Sequence, residues 1–101
     1  MTEAFGTRLR AALDAHGPLC VGIDPHAALL EAWGLSQSAE GVREFGLRVV
    51  DAAAGRVASI KPQVSFFERV GSRGFAALEE ILTAGRAAGL IVIADAKRGE
   101  I

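Results

Sequence analysis

The chain has 101 residues, 50% hydrophobic and 23% charged, which is enough apolar material for one packed domain and too little length for two. Eleven Lys and Arg against twelve Asp and Glu leave a net charge of −1, so neither nucleic acid nor an acidic membrane surface is an expected partner. The single cysteine, Cys20, excludes an internal disulfide framework, and without a CxxC or Cys/His cluster no metal site is expected.

The opening segment MTEAFGTRLRAALDAHG has scattered charges and no continuous apolar stretch, so it is not a secretory signal. Within it, residues 3–16 carry Phe5, Leu9, Ala12 and Leu13 at helical spacing, and Gly17 followed by Pro18 is a stop signal. The run LCVGI at 19–23 is apolar and too short for a helix, and is expected to be a buried strand with Cys20 inert inside it. Residues 38–54 place Val42, Phe45, Val49 and Ala53 on one helical stripe, with Ser38 as N-cap. A second strand is expected at 57–60 (VASI). Residues 72–88 form a third helix with Phe75, Leu78, Ile81 and Leu82 inward, Ser72 near the start and Gly89 just past the end. LIVIA at 90–94 is the third strand. No apolar run approaches the roughly 20 residues of a membrane span, and the expected location is the cytoplasm.

Apolar strands without polar alternation suit a parallel sheet covered on both faces. Strand and helix alternate, as in βαβ units with right-handed crossovers. A charged residue ends each strand: Asp24, Lys61 and Asp95, spaced 37 and 34 residues apart. That interval is one strand-plus-helix unit, as in an α/β (β/α)8 TIM barrel. No GxGxxG or Walker loop follows any strand, which weakens a nucleotide-binding doubly wound fold. Such a barrel takes about 250 residues, so 1–101 is expected to be the N-terminal part of a single barrel domain, supplying about the first three β/α units.

The chemistry gathers at the strand ends. In DAKRGE (95–100), Asp95 and Lys97 are two apart, so on an extended exit they point the same way, toward the C-terminal mouth of a barrel. A lysine beside a carboxylate stays protonated and is a candidate general acid. A plain salt bridge at a strand end has the same spacing. Asp24, followed by Pro25, also fits a simple turn opener. Three charged strand ends in succession favour a small polar substrate over these local readings. His26 is read as a turn residue, Trp33 as packing over the barrel edge, and Phe66 and Phe67 as core or interface. Arg43 with Glu44, and Arg69 with Glu68, are read as solvated helix faces.

The segments VGIDPH (21–26), IKPQVSFFE (60–68) and IADAKRGEI (93–101) resemble the first three strand ends of the orotidine 5′-phosphate decarboxylase family, in its bacterial branch with DPH, KPQ and DAKRGD. The resemblance implies decarboxylation of orotidine 5′-phosphate to uridine 5′-phosphate in pyrimidine biosynthesis, without a cofactor and without a metal. It implies that Asp24 contacts the ribose hydroxyls and that Lys61 binds ribose and pairs with Asp95. Asp95 then lies beside the departing CO₂, and Lys97 gives a proton to C6. Glu100 stands where the family has an aspartate, one methylene shorter, that enters the partner subunit's active site. A homodimer acting on a nucleotide monophosphate follows from the resemblance. The family's phosphate-binding loops come later than residue 101, so the isolated 101-residue chain is expected to be inactive. Two alternatives remain at this stage: a Mg²⁺-dependent sugar-phosphate decarboxylase or aldolase of the same suprafamily, and a non-catalytic barrel fragment. Lys61 separates the first alternative, because that branch carries an acid there and an ammonium repels Mg²⁺.

Overall fold

Short β-branched runs between helical segments produce alternating elements in the computed structural model, which describes residues 4–96. They are α1 (Phe5–His16), β1 (Cys20–Ile23), α2 (Ala27–Ala32), α3 (Ala39–Ala53), β2 (Ser59–Pro62), α4 (Val64–Glu68), α5 (Ser72–Ala87) and β3 (Ile91–Val92). The strands form one parallel sheet in the order β1-β2-β3. Cys20, Val21, Gly22 and Ile23 pair with Ser59, Ile60, Lys61 and Pro62, and Ser59 and Ile60 pair with Ile91 and Val92.

Strand alternation sorts the side chains into two faces. Ile60 and Val92 point to the helix layer, where a Cβ added to Gly85 of α5 would stand 2.9 Å from Ile60 Cδ1 and 3.0 Å from Val92 Cγ2. Ile23, Leu30, Val42, Ile60, Phe67 and Ile81 are fully buried between sheet and helices. The helices α3 and α5 lie close because Gly46 faces Ile81; a Cβ on Gly46 would come within 2.2 Å of Ile81 Cδ1. Beyond that dry contact, Arg43 reaches across from α3 and donates to Glu80 of α5 at 2.9 and 2.6 Å, and Arg73 of α5 pairs with Glu40 of α3. The bond from Arg43 holds the Glu80 carboxyl below the usual carboxylate range. Glu40 is lowered by its own backbone N–H, then by the Ser38 hydroxyl and the Arg73 charge.

Several expectations are corrected. The stripe on α1 faces the body only in part: Leu9, Ala12 and Leu13 are half-buried, whereas Phe5 at the helix start is 52% exposed. Phe75 is 44% exposed, since α5 turns Gly74, Ala77, Leu78, Ile81 and Gly85 toward the interior and one step along a helix swings Phe75 away. Cys20 is exposed, on the sheet face opposite the helix layer. The helices α2 and α4 were not expected. Ser38 does cap α3, accepting from Gly41 N–H at 3.4 Å, and Gly17 closes α1 at φ 80°. Trp33 stacks 4.5 Å from the Phe45 ring, beside Val21 of the edge strand β1. No helix among the described residues is long and apolar enough to cross a membrane.

Candidate active site

The three described strand-end charges stand at one end of the sheet. Asp24 directly follows β1, where the chain turns around the buried Pro25 and His26 N–H donates to the Asp24 carbonyl at 2.7 Å. His26 then starts α2, its Nδ1 accepting Leu29 N–H at 3.3 Å. The Asp24 carboxylate lies over Gly22, which is the register partner of Lys61: a Cβ there would stand 3.9 Å from Asp24 Oδ1. Gly22 therefore leaves open the space that a side chain would take between Asp24 and the middle strand.

Lys61 lies on the sheet face opposite Ile60 and Pro62, both of which are buried. Its Nζ stands 3.9 Å from Asp95 Oδ2, with the Lys61 side chain 47% exposed and that of Asp95 22%. At that separation the pair is an ionic contact longer than a hydrogen bond, and a pair this exposed contributes about 1 kcal/mol or less to stability. Its worth is therefore in placing charge.

The backbone holds that placement firmly. Asp95 N–H donates to the Pro62 carbonyl at 2.9 Å and the Asp95 carbonyl accepts Val64 N–H at 2.9 Å. Gln63 bridges to Asp95 as a parallel partner, and Gln63 N–H donates to the Ile23 carbonyl at 3.1 Å. Together these bonds stitch the exits of all three strands to one another. Phe67, fully buried, anchors α4 just beyond, so the loop after Lys61 is pinned at both ends.

Of the predicted site residues, Asp24, Lys61 and Asp95 are thus brought together. Lys97 and Glu100 lie outside the described residues, as does Arg98. Among the described residues no group of three or more His, Cys, Asp or Glu side chains gathers as a metal site. Sequence reasoning passed over Gln63, although its i+2 relation to Lys61 was available as a signal.

Comparison with known proteins gives consistent results. No protein-family model matches the chain. The orotidine 5′-phosphate decarboxylase of Streptomyces coelicolor is 59% identical over 99 residues, covering 98% of this chain and 36% of that protein. That of a Nocardioides species is 56% identical over 97 residues, covering 96% of this chain and 36% of the relative. The chain thus spans about a third of the length of the curated relatives it matches. Among solved structures, a Streptomyces avermitilis chain assigned as an orotidine 5′-phosphate decarboxylase superposes with a TM-score of 0.89 at 56% identity, over 99% of this chain and 35% of its own. The Leishmania donovani UMP synthase superposes with a TM-score of 0.78 at 35% identity, over 99% of this chain and 20% of its own. The predicted barrel architecture is borne out, with this chain holding an arc of it. In sequence and in fold the chain is similar to orotidine 5′-phosphate decarboxylases over about a third of their length.

Proposed function

We propose that the full-length protein decarboxylates orotidine 5′-phosphate to uridine 5′-phosphate, as the names of its relatives would have it. The observation that supports this best is the 3.9 Å approach of Lys61 Nζ to Asp95 Oδ2, at the sheet end where Asp24 also stands. In this reading the C6–carboxylate bond breaks, CO₂ leaves, and the electron pair stays on C6. Lys97 then gives C6 a proton. Asp95, paired with Lys61, holds Lys97 charged beside the developing anion before the reaction begins, which is where preorganised electrostatics contribute most. Asp24 and Lys61 bind the ribose hydroxyls, and binding of the remote phosphate helps position the ring. The protein's own charges supply the stabilisation, so no cofactor enters the reaction. Glu100 serves the neighbouring subunit's site, making the enzyme a homodimer of the cytoplasm. An ammonium at position 61, beside the carboxylate, opposes the metal-dependent alternative.

The test is a spectrophotometric assay of orotidylate loss by the full-length protein in EDTA. Turnover is expected, and Lys97→Ala is expected to lower kcat by about 10³-fold or more, from the combined loss of proton donor and fixed charge. An unchanged rate in that variant overturns the assignment of Lys97, and inhibition by EDTA favours the metal enzyme instead.

A further inference from the structure

Lys61 stands between two carboxylates and pairs with one of them. On one side, Gly22 of β1 is its register partner. On the other, parallel pairing continues past β3: the N–H groups of Ile91, Ile93 and Asp95 donate to the carbonyls of Ala58, Ile60 and Pro62 at 3.0, 3.0 and 2.9 Å. Val92 is the partner of Ile60 and Asp95 that of Gln63, so Ile93 is level with Lys61 on the third strand. Residues two apart on a strand share a face, which puts Ile93 on the same face as Asp95 and Lys61. One row further along the strands, Asp24 and Asp95 occupy the two outer positions. They lie on the two diagonals from Lys61.

Coulomb attraction alone does not choose between two carboxylates at similar reach. Yet Lys61 Nζ stands 3.9 Å from Asp95 Oδ2, and Asp24 has no ion pair among the described residues. The diagonals differ in what the lysine stem passes. Toward Asp24 it passes Gly22, which has no side chain and whose Cβ position has only the Asp24 carboxylate within 4 Å. Toward Asp95 it passes Ile93, a large apolar side chain that is 43% exposed. A lysine gains by laying its methylene stem along apolar surface while its ammonium stays in water. Parallel strands about 4.8 Å apart set neighbouring side chains at the spacing where they meet.

We propose that Ile93 is a positioning residue: its side chain supports the Lys61 stem and directs the ammonium to Asp95 and away from Asp24. Ile93 acts through Lys61 and touches no reacting atom. The inference rests on the decarboxylase reading, in which the Lys61–Asp95 pair holds charge beside C6 and Asp24 is left open to the substrate. Without Ile93 the ammonium divides its time between the two carboxylates. It stays near the sugar, so binding changes little, while the charge fixed beside C6 is weakened.

The experiment measures kcat and KM of the full-length protein for orotidine 5′-phosphate in wild type, Ile93→Val and Ile93→Ala, with a crystal structure of each. Ile93→Ala is expected to lower kcat by about tenfold, a part of what removing a preorganised charge outright would cost. KM is expected to stay within about threefold, because ground-state binding is retained. Ile93→Val keeps a branched apolar surface beside the stem and is expected to stay within about twofold of wild type on both constants. In the crystals Nζ is expected beside Asp95 in wild type and Ile93→Val, and shared between Asp24 and Asp95 in Ile93→Ala. If Ile93→Ala fails to melt cooperatively, Ile93→Thr replaces it, since threonine has the shape of valine with a hydroxyl for one methyl, and a lower kcat than in Ile93→Val is expected. Lys61 unmoved with kcat unchanged overturns the proposal and leaves the lower exposure of Asp95 to set the choice. So does an equal loss in the valine variant and its comparator, or a rise in KM with kcat unchanged. Absence of orotidylate turnover by wild type removes the decarboxylase reading itself, while the position of Nζ in the three crystals still tests the role of Ile93.

Discussion

His26 acts through two separate atoms. Its backbone N–H closes the turn around Pro25 by bonding the Asp24 carbonyl at 2.7 Å, and its Nδ1 accepts Leu29 N–H at 3.3 Å at the start of α2. The imidazole is therefore a cap, with the proton of the neutral ring on Nε2. His26→Ala is expected to destabilise the full-length protein by about 1 kcal/mol, and His26→Asn, which restores an accepting oxygen, to recover most of it. Urea unfolding midpoints check this; equal stability of wild type and His26→Ala would show that the cap carries no weight. At this scale the sequence was partly legible. Asp24, Lys61 and Asp95 stood out because each interrupts an apolar run with a charge. The capping role of His26 did not, because histidine is not a usual cap and the start signal in DPHAALL, Asp24 with Pro25, points two residues too early. Gln63 was hidden for another reason: an amide has no charge to draw attention, and only the register gives it neighbours.

Among the elements, the sheet layer against α3 and α5 depends on small residues where bulky ones were expected to dominate. Periodicity places the long helices within a residue or two of their observed bounds, because a stripe of apolar side chains over four turns is a strong signal. It places Val42, Phe45 and Ala53 of α3 and Leu78 and Ile81 of α5 inward, as observed, and errs at Phe75. On α5 the interior line also takes in Gly74, Ala77 and Gly85, which allow close approach but carry little hydropathy, beside Leu78 and Ile81, while Phe75 turns outward. The helices α2 and α4, six and five residues long, are too short to show a period at all. The Gly46–Ile81 contact gives a direct test of the packing. Gly46→Ala is expected to destabilise the protein by about 1–2 kcal/mol, the overpacking cost less the helix-propensity gain of alanine. Ile81→Ala alone is expected to cost about 2–5 kcal/mol, and the double variant to cost less than the sum, because each change relieves the other. Additive losses in thermal or urea unfolding would contradict a close approach at this point.

Over the whole molecule, three parallel strands in sequence order bring residues 24, 61 and 95 to one rim although they are 37 and 34 positions apart in the chain. The spacing of strand-ending charges carried this much of the architecture, because one β/α unit has a narrow range of lengths and a parallel sheet puts every strand exit at the same end. The ionic distance between Lys61 and Asp95 was not legible, since it depends on the backbone bonds among Ile23, Pro62, Gln63, Val64 and Asp95 that lock the exits together. The segment's share of about a third of its relatives' length leaves the rest of the proposed site to be seen in the whole protein. A crystal structure of the full-length protein with uridine 5′-phosphate bound is the most direct measurement. The expected result has the nucleotide at the C-terminal ends of the strands, Asp24 and Lys61 within hydrogen-bond distance of its ribose, and Asp95 with Lys97 beside C6. A nucleotide bound at the opposite end of the sheet, or one out of reach of Lys61 and Asp95, would contradict the convergence of these charges on a single substrate.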